Sequence, residues 1–152
     1  MIFKIKKHNS TLYNTLLTLS RNLYFYNTIK LKDTFETRIY LMFMHFSIML
    51  IASKKRNDIF PQTYYDNLFH SIENNLRELG QGDVAVNKKM KDFNKILYDI
   101  LLKILANDDP IKINKNLVFK YFEEFKNSND DIYELFERYL IKFNHFCFEL
   151  SP

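Results

Sequence analysis

The sequence predicts an all-α protein, a single-domain bundle of about six helices. Its 152 residues are the size of one ordinary domain. It contains only two glycines and three prolines, whereas a sheet protein with many tight turns needs more of both. Leucine and aromatic residues recur at separations of three and four, which is the spacing of one helical face. We therefore expect one helical domain over residues 1–152.

The first helix is expected to begin at Asn9 or Ser10, because either side chain can cap a helix. Four leucines at helical spacing form its apolar face: Leu12, Leu16, Leu19 and Leu23. The helix is expected to end near Tyr26, before a short link to the second helix.

The second helix is predicted to start at Asp33 or Thr34, and its apolar run covers residues 39–52. A membrane-spanning helix needs roughly 20 predominantly apolar residues, and this run is shorter and contains His45. A helix that is apolar on nearly all sides belongs in the middle of a bundle. The basic cluster 54–56 suits its carboxyl end.

The third helix is predicted from Pro61 to about Leu79, since proline fits the first turn of a helix. Gly80 follows at the position where helices often adopt left-handed backbone angles, and Gly82 lies two residues further on. Both glycines of the chain therefore fall in one connection. Asn87 is predicted to cap the fourth helix.

The fourth helix is expected to end before a turn signal at residues 107–110. Two further helices are predicted near 114–126 and 130–150, with the polar stretch 127–131 between them. Cys147, the only cysteine, is interpreted as a small residue that fills the core.

No catalytic motif is present in the sequence. A chain with two glycines offers no GxGxxG, Walker or GxSxG loop, and its four histidines form no HExxH arrangement. His70 and Glu73, one turn apart, are interpreted as a structural pair. We expect neither enzymatic activity, nor a cofactor, nor a metal. The net charge of +4 is compatible with anionic lipid, ribosomal RNA or an acidic partner.

The segment 68–98 resembles the best-marked part of the ubiquinol–cytochrome c chaperone family. Its core reads LRELGQGDVAVNKKMK, in which an Arg-Glu-Leu-Gly helix end is followed by Gly-Asp, an apolar pair and a basic helix start. Residues 21–53 are similar to the upstream region of the family. The chain departs from the family where members often carry Phe-Tyr-Gly, because it has Leu97, Tyr98 and Asp99 there. Its last third resembles the family only in pattern.

The resemblance implies an all-helical assembly chaperone for cytochrome b, the haem subunit of the bc1 respiratory complex. Newly made cytochrome b is the expected partner. A small assembly partner, the ribosome and a peripheral membrane contact are further candidates, and DNA is not expected. The N-terminal sequence carries no apolar signal and no evident mitochondrial leader, and the length of the chain resembles that of the compact bacterial members of the family. The resemblance therefore implies the bacterial cytoplasm, either free or peripheral at the inner membrane.

A groove beside the second helix and the connection 80–87 is the predicted client site. Its partner-binding candidates are polar or basic: Arg38, His45, Arg77, Glu78, Asp83, Lys88 and Lys89. Gly80, Gly82 and Asn87 are expected to shape the connection, with Val84 and Val86 anchoring it to the bundle.

Alternatives remain open for these residues and for the function. Arg77, Glu78 and Asp83 could simply brace the connection, and His45 could be a hydrogen-bonded core histidine. The chain could be an adaptor that binds ribosome or membrane through lysine and arginine, or a haem-handling protein that uses His45. Met42, Met44 and Met49 could fill the core, or one or more of them could line a groove, because the three cannot all face one core equally.

Overall fold

The computed structural model describes residues 12–108 and 110–149. Within them the helices are α1 (residues 12–20), α2 (Phe35–Lys55), α3 (Gln62–Glu78), α4 (Asp83–Lys103), α5 (Lys115–Tyr121) and α6 (Asp130–Glu149). Two short antiparallel strands, β1 (Leu105–Asp108) and β2 (Ile111–Ile113), form a hairpin between α4 and α5. The predicted all-α class with about six helices is confirmed, because the sheet is this hairpin alone within the described residues.

Helix α2 is the centre of the fold. Of the two cap candidates Thr34 is the one used, and its hydroxyl accepts the N–H of Thr37 at 3.1 Å. Among the described residues only α2 is long and apolar enough to cross a membrane, yet 61% of its most apolar 18-residue stretch is buried inside the fold. That burial agrees with the predicted central position, since α4 and α6 both pack against it.

Helices α4 and α6 contact the chain near the two ends of α2. Near the amino end of α2, Glu36 pairs with Lys89 of α4 at 3.2 Å. Near its carboxyl end, the Arg56 guanidinium donates to the carbonyl of Cys147 in α6 at 2.6 Å. Helix α3 runs back between these ends and joins α4 through residues 79–82, which we call the elbow. The elbow therefore lies at the end of the bundle where α2 begins.

The first helix ends earlier than predicted. It stops at Ser20, and a π-helical turn, Tyr24–Thr28, follows it. The Tyr26 hydroxyl donates to the carbonyl of Ser20 at 2.5 Å, which holds the chain in this reversal. Phe25 is thereby buried completely, whereas Leu23, assigned to the apolar face, is 68% exposed. The predicted caps at residues 9 and 10 lie outside the described residues.

The segment after α4 also differs from the prediction. Asn107 and Asp108 of the predicted turn belong to strand β1, where they lie opposite Lys112 and Ile111. The predicted helix 114–126 is split into α5, which Asn114 caps, and a short 3₁₀ turn, Glu123–Asn127. Helix α6 begins as predicted at 130, and its predicted end at 150 lies outside the described residues.

The last third of the chain is joined to the core through aromatic rings. Phe136 of α6 lies 5.7 Å from Phe122 and 5.2 Å from Phe125, measured between ring centroids. Its ring also lies 6.1 Å from that of Phe25 in the π turn, measured between centroids.

Further along α6, Cys147 is buried as predicted, and this burial raises the pKa of its thiol to about 11.

Candidate partner-binding surface

The elbow is built by the glycine that ends α3. Gly80 has φ of 88°, in the left-handed region that favours glycine, as the sequence indicates. Its N–H donates to the carbonyl of Arg77 at 3.0 Å, and the N–H of Gln81 donates to the carbonyl of Leu76 at 3.3 Å. This pair of bonds is the Schellman arrangement, which satisfies the last carbonyls of a helix. The elbow is therefore a fixed turn.

Helix α4 starts before the predicted cap. Gly82, not Asn87, is its N-cap residue, and the N–H of Val86 donates to the Gly82 carbonyl at 2.9 Å. Asn87 is an exposed residue in the second turn, and the backbone of Gly82 is ordinary extended chain rather than a second tight turn. Asp83 in the first turn explains the earlier start, because the helix dipole favours an acid there.

The valines of this turn have different surroundings. Val86 is fully buried and anchors α4 as expected, but Val84 is 86% exposed, so its predicted anchoring role is wrong. Side chains two residues apart on a helix are rotated by about 200° around the helix axis, so only one of the two valines can face the bundle.

Charged pairs brace the elbow. Arg77 forms an ion pair with Asp83, and its Nε also lies 3.7 Å from the Glu73 carboxylate. The hydrogen bond to Asp83 raises the pKa of Arg77. For Arg77 and Asp83 the geometry favours the bracing role. Lys88 is exposed and has no ion pair with any described residue. Contacts of Arg77, Asp83 and Lys88 with a partner remain predictions.

A cleft of about 420 Å³ opens beside the elbow, between α1, α2 and α3. Its apolar wall consists of Leu17, Phe35, Ile39, Met42 and Leu79. Its polar groups are Tyr13, Arg21, Arg38, Asn75 and Glu78. The structure thus brings together two of the predicted partner-binding residues, Arg38 and Glu78, and adds a wall that includes one of the methionines that could line a groove.

The rim of this cleft is held by hydrogen bonds. Arg38 donates to one oxygen of Asp33 through Nε at 2.9 Å and Nη2 at 2.6 Å, and this hydrogen bonding raises the pKa of Arg38. The Asn75 amide donates to the hydroxyl of Tyr13 on α1. Burial raises the pKa of Tyr13, so its hydroxyl stays neutral. We call this rimmed space the elbow cleft.

His45 lies in the core, away from the elbow cleft. It is fully buried, its Nδ1 is 2.6 Å from the Leu41 carbonyl, and its Nε2 is 2.6 Å from the Tyr139 hydroxyl. Because a carbonyl can only accept, Nδ1 must carry the proton and Nε2 must accept from Tyr139. Burial lowers the pKa of His45 to about 4, although the bond to Leu41 acts in the opposite direction.

This placement overturns the prediction of His45 as a partner contact and agrees with its interpretation as a core histidine. Both ring nitrogens are engaged, so neither has a free lone pair for haem iron in this conformation.

Sequence reasoning missed a charged network at Asp99. Lys103 lies 2.8 Å from one of its oxygens, while Lys120 and the Tyr121 hydroxyl lie 2.9 and 2.5 Å from the other. Burial alone would raise the pKa of Asp99, but the hydrogen bonds from these three groups outweigh it and hold the pKa well below its usual range. Asp99 ties α4 to α5 through these bonds.

Replacement of the elbow glycines tests the turn. We expect Gly80→Ala to lower the free energy of unfolding by about 1–2 kcal/mol, because a Cβ is strained at this φ although no atom lies within 4 Å of it. Gly80→Asn should cost less, since asparagine tolerates left-handed backbone. Gly82→Ser is the matched control and should be neutral or slightly stabilising, because serine is a better N-cap. Denaturant titration measures all three, and equal loss in Gly80→Ala and Gly82→Ser would contradict this account.

The family model described as Ubiquinol-cytochrome C chaperone matches residues 27–110. This range is more than half of the chain and contains α2, α3, the elbow and α4. The wall and rim residues of the elbow cleft on α2 and α3 fall within it, whereas those on α1 precede it. Neither a curated protein nor a solved structure matches the chain.

Proposed function

Because the chain belongs to the ubiquinol-cytochrome C chaperone family, which indicates a non-enzymatic role in bc1 assembly, we propose that its client is newly made cytochrome b. The observation that carries this proposal is the elbow cleft, an apolar wall with a braced polar rim beside the fixed turn. In the proposed role the protein binds a segment of the client and releases it unchanged.

The size and lining of the elbow cleft suit an apolar segment. Its 420 Å³ lies within the range of about 300–1,000 Å³ found for binding pockets, so it accommodates a few side chains rather than a whole helix. A membrane protein presents such side chains before its helices have assembled. Leu79, which lines the cleft, is 63% exposed, and burial of that exposed part against a client would contribute about 1–2 kcal/mol.

The polar rim of the elbow cleft would orient a bound client segment. Arg38 is held by Asp33, so it needs little further ordering when a client binds. Arg21 and Glu78 are exposed on the same rim and carry opposite charges. A client segment with polar groups at both edges of an apolar stretch would match this arrangement better than an entirely apolar one.

A single substitution tests the elbow cleft. We expect Leu79→Glu to reduce capture of cytochrome b in a pull-down by about ten-fold, because an apolar contact worth about 1–2 kcal/mol is lost and a charge takes its place. Leu23→Glu is the matched control, since Leu23 is also well exposed, at 68%, but lies outside the cleft. Neither leucine belongs to the buried core, so both variants should fold. Equal capture by Leu79→Glu and wild type would remove the elbow cleft as the client site.

A further inference from the structure

Helix α4 carries an exposed stripe along its whole length. The residues follow one another at separations of four and three, which places them on one helical face: Val84, Lys88, Lys91, Lys95, Tyr98 and Leu102. All six are exposed, and the two aliphatic residues at the ends are 86% and 78% exposed. The stripe is about 27 Å long, given a rise of 1.5 Å per residue. We call it the lysine stripe.

The three lysines of the stripe are not used to hold the fold. Within the part of the chain that the structure describes, the side chains of Lys88, Lys91 and Lys95 form no ion pair or hydrogen bond. Two of the acids on α4 are already neutralised, Asp83 by Arg77 and Asp99 by two lysines. Only one acid of α4 is left beside the three free lysines, so the stripe has a net positive charge.

The ends of the stripe are as informative as its charge. Val84 and Leu102 are largely exposed, so they bury little apolar surface in the fold, and Tyr98 is half-exposed with its ring 6.5 Å from that of Tyr65. A polyanion such as RNA would use the lysines but would gain nothing from the aliphatic ends. A lipid surface uses both, because lysine stems lie along apolar material while their ammonium groups reach phosphates, and tyrosine suits the interface.

We propose that the lysine stripe lies flat on an anionic lipid surface, with Val84 and Leu102 entering the headgroup region at its two ends. A straight line of 27 Å on a convex helix matches a flat partner. No residue of the elbow cleft belongs to α4, so the lipid-bound protein keeps the cleft open to a client. The proposal concerns a second surface and stands independently of the identity of that client.

Vesicle co-sedimentation with the full chain tests this proposal. The probe is phosphatidylcholine vesicles with or without about 30% phosphatidylglycerol. The stripe variant carries Lys88→Gln, Lys91→Gln and Lys95→Gln. The matched control loses the same charge at exposed lysines elsewhere, in Lys112→Gln, Lys126→Gln and Lys142→Gln. Thermal melting by circular dichroism checks that both variants fold.

Wild type is expected to bind the anionic vesicles, and the stripe variant to bind them about 100-fold more weakly, because each lysine near an anionic surface contributes about five-fold. The control should lose far less. Leu102→Ser should weaken binding without reducing its salt dependence, since it removes apolar contact and no charge. Equal losses in the two triple variants, or wild-type binding to single-stranded RNA but not to anionic vesicles, would overturn the proposal.

Discussion

Replacement of Phe136 by alanine is expected to lower the free energy of unfolding by about 3–5 kcal/mol, the usual cost of removing a buried phenylalanine ring. Phe136 is completely buried, and its ring meets those of Phe25, Phe122 and Phe125. The cavity left by its removal would be lined by rings from separate segments, which cannot all close in on it. Urea denaturation followed by circular dichroism measures the effect.

Phe146→Ala is the control on the same helix. Its side chain is 60% exposed, so it loses little burial, and we expect a change within about 0.5 kcal/mol. A small effect at Phe136 would mean that the last third of the chain is only loosely joined to α2. That outcome would matter for function as well, because α5 and α6 support the central helix that forms part of the elbow cleft.

The parts of the fold that were predictable have strong local signals. The central position of α2 follows from its apolar run, and the end of α3 follows from Gly80 and the leucines before it. Here spacing and turn chemistry agree with the tertiary structure. The all-α class and the number of helices were predictable for the same reason.

The π turn and the hairpin lack such signals. Leu23 continues the leucine spacing of α1, but the chain reverses before it so that Phe25 can enter the core. The hairpin has strands of four and three residues, too short for an alternating pattern to be recognised. In both cases packing against distant segments outweighs the local preference.

The candidate site was predictable only in part. Arg38 and Glu78 share the elbow cleft, but their proximity depends on how α1, α2 and α3 pack, which one sequence does not reveal. In the Asp99 network only Lys103 has helical spacing, four residues along α4. Lys120 and Tyr121 lie 21 and 22 residues away on α5, and no spacing rule connects them to Asp99. Asn87 was a reasonable cap by residue type, yet the acid at Asp83 and its partner Arg77 set the start of α4.

His45 gives the second large expected effect, a loss of stability as the pH falls. The pKa of His45 in the folded protein is about 4, below the ordinary value of 6.5, because burial disfavours the charged ring. Well above pH 6.5 the ring is neutral in both states and its contribution to stability is complete. Between pH 6.5 and about pH 4 the unfolded chain binds a proton that the folded protein does not, so stability decreases as the pH is lowered.

The size of this loss follows from the separation of the two pKa values, and it is about 3 kcal/mol once the pH reaches about 4. His45→Gln removes the titrating ring, so its free energy of unfolding should change less between pH 7 and pH 4.5 than that of wild type. His70→Gln, at an exposed histidine, should follow the wild-type curve. Parallel curves for wild type and His45→Gln would show that the ring is protonated in the fold, contrary to its donation to Leu41 and acceptance from Tyr139.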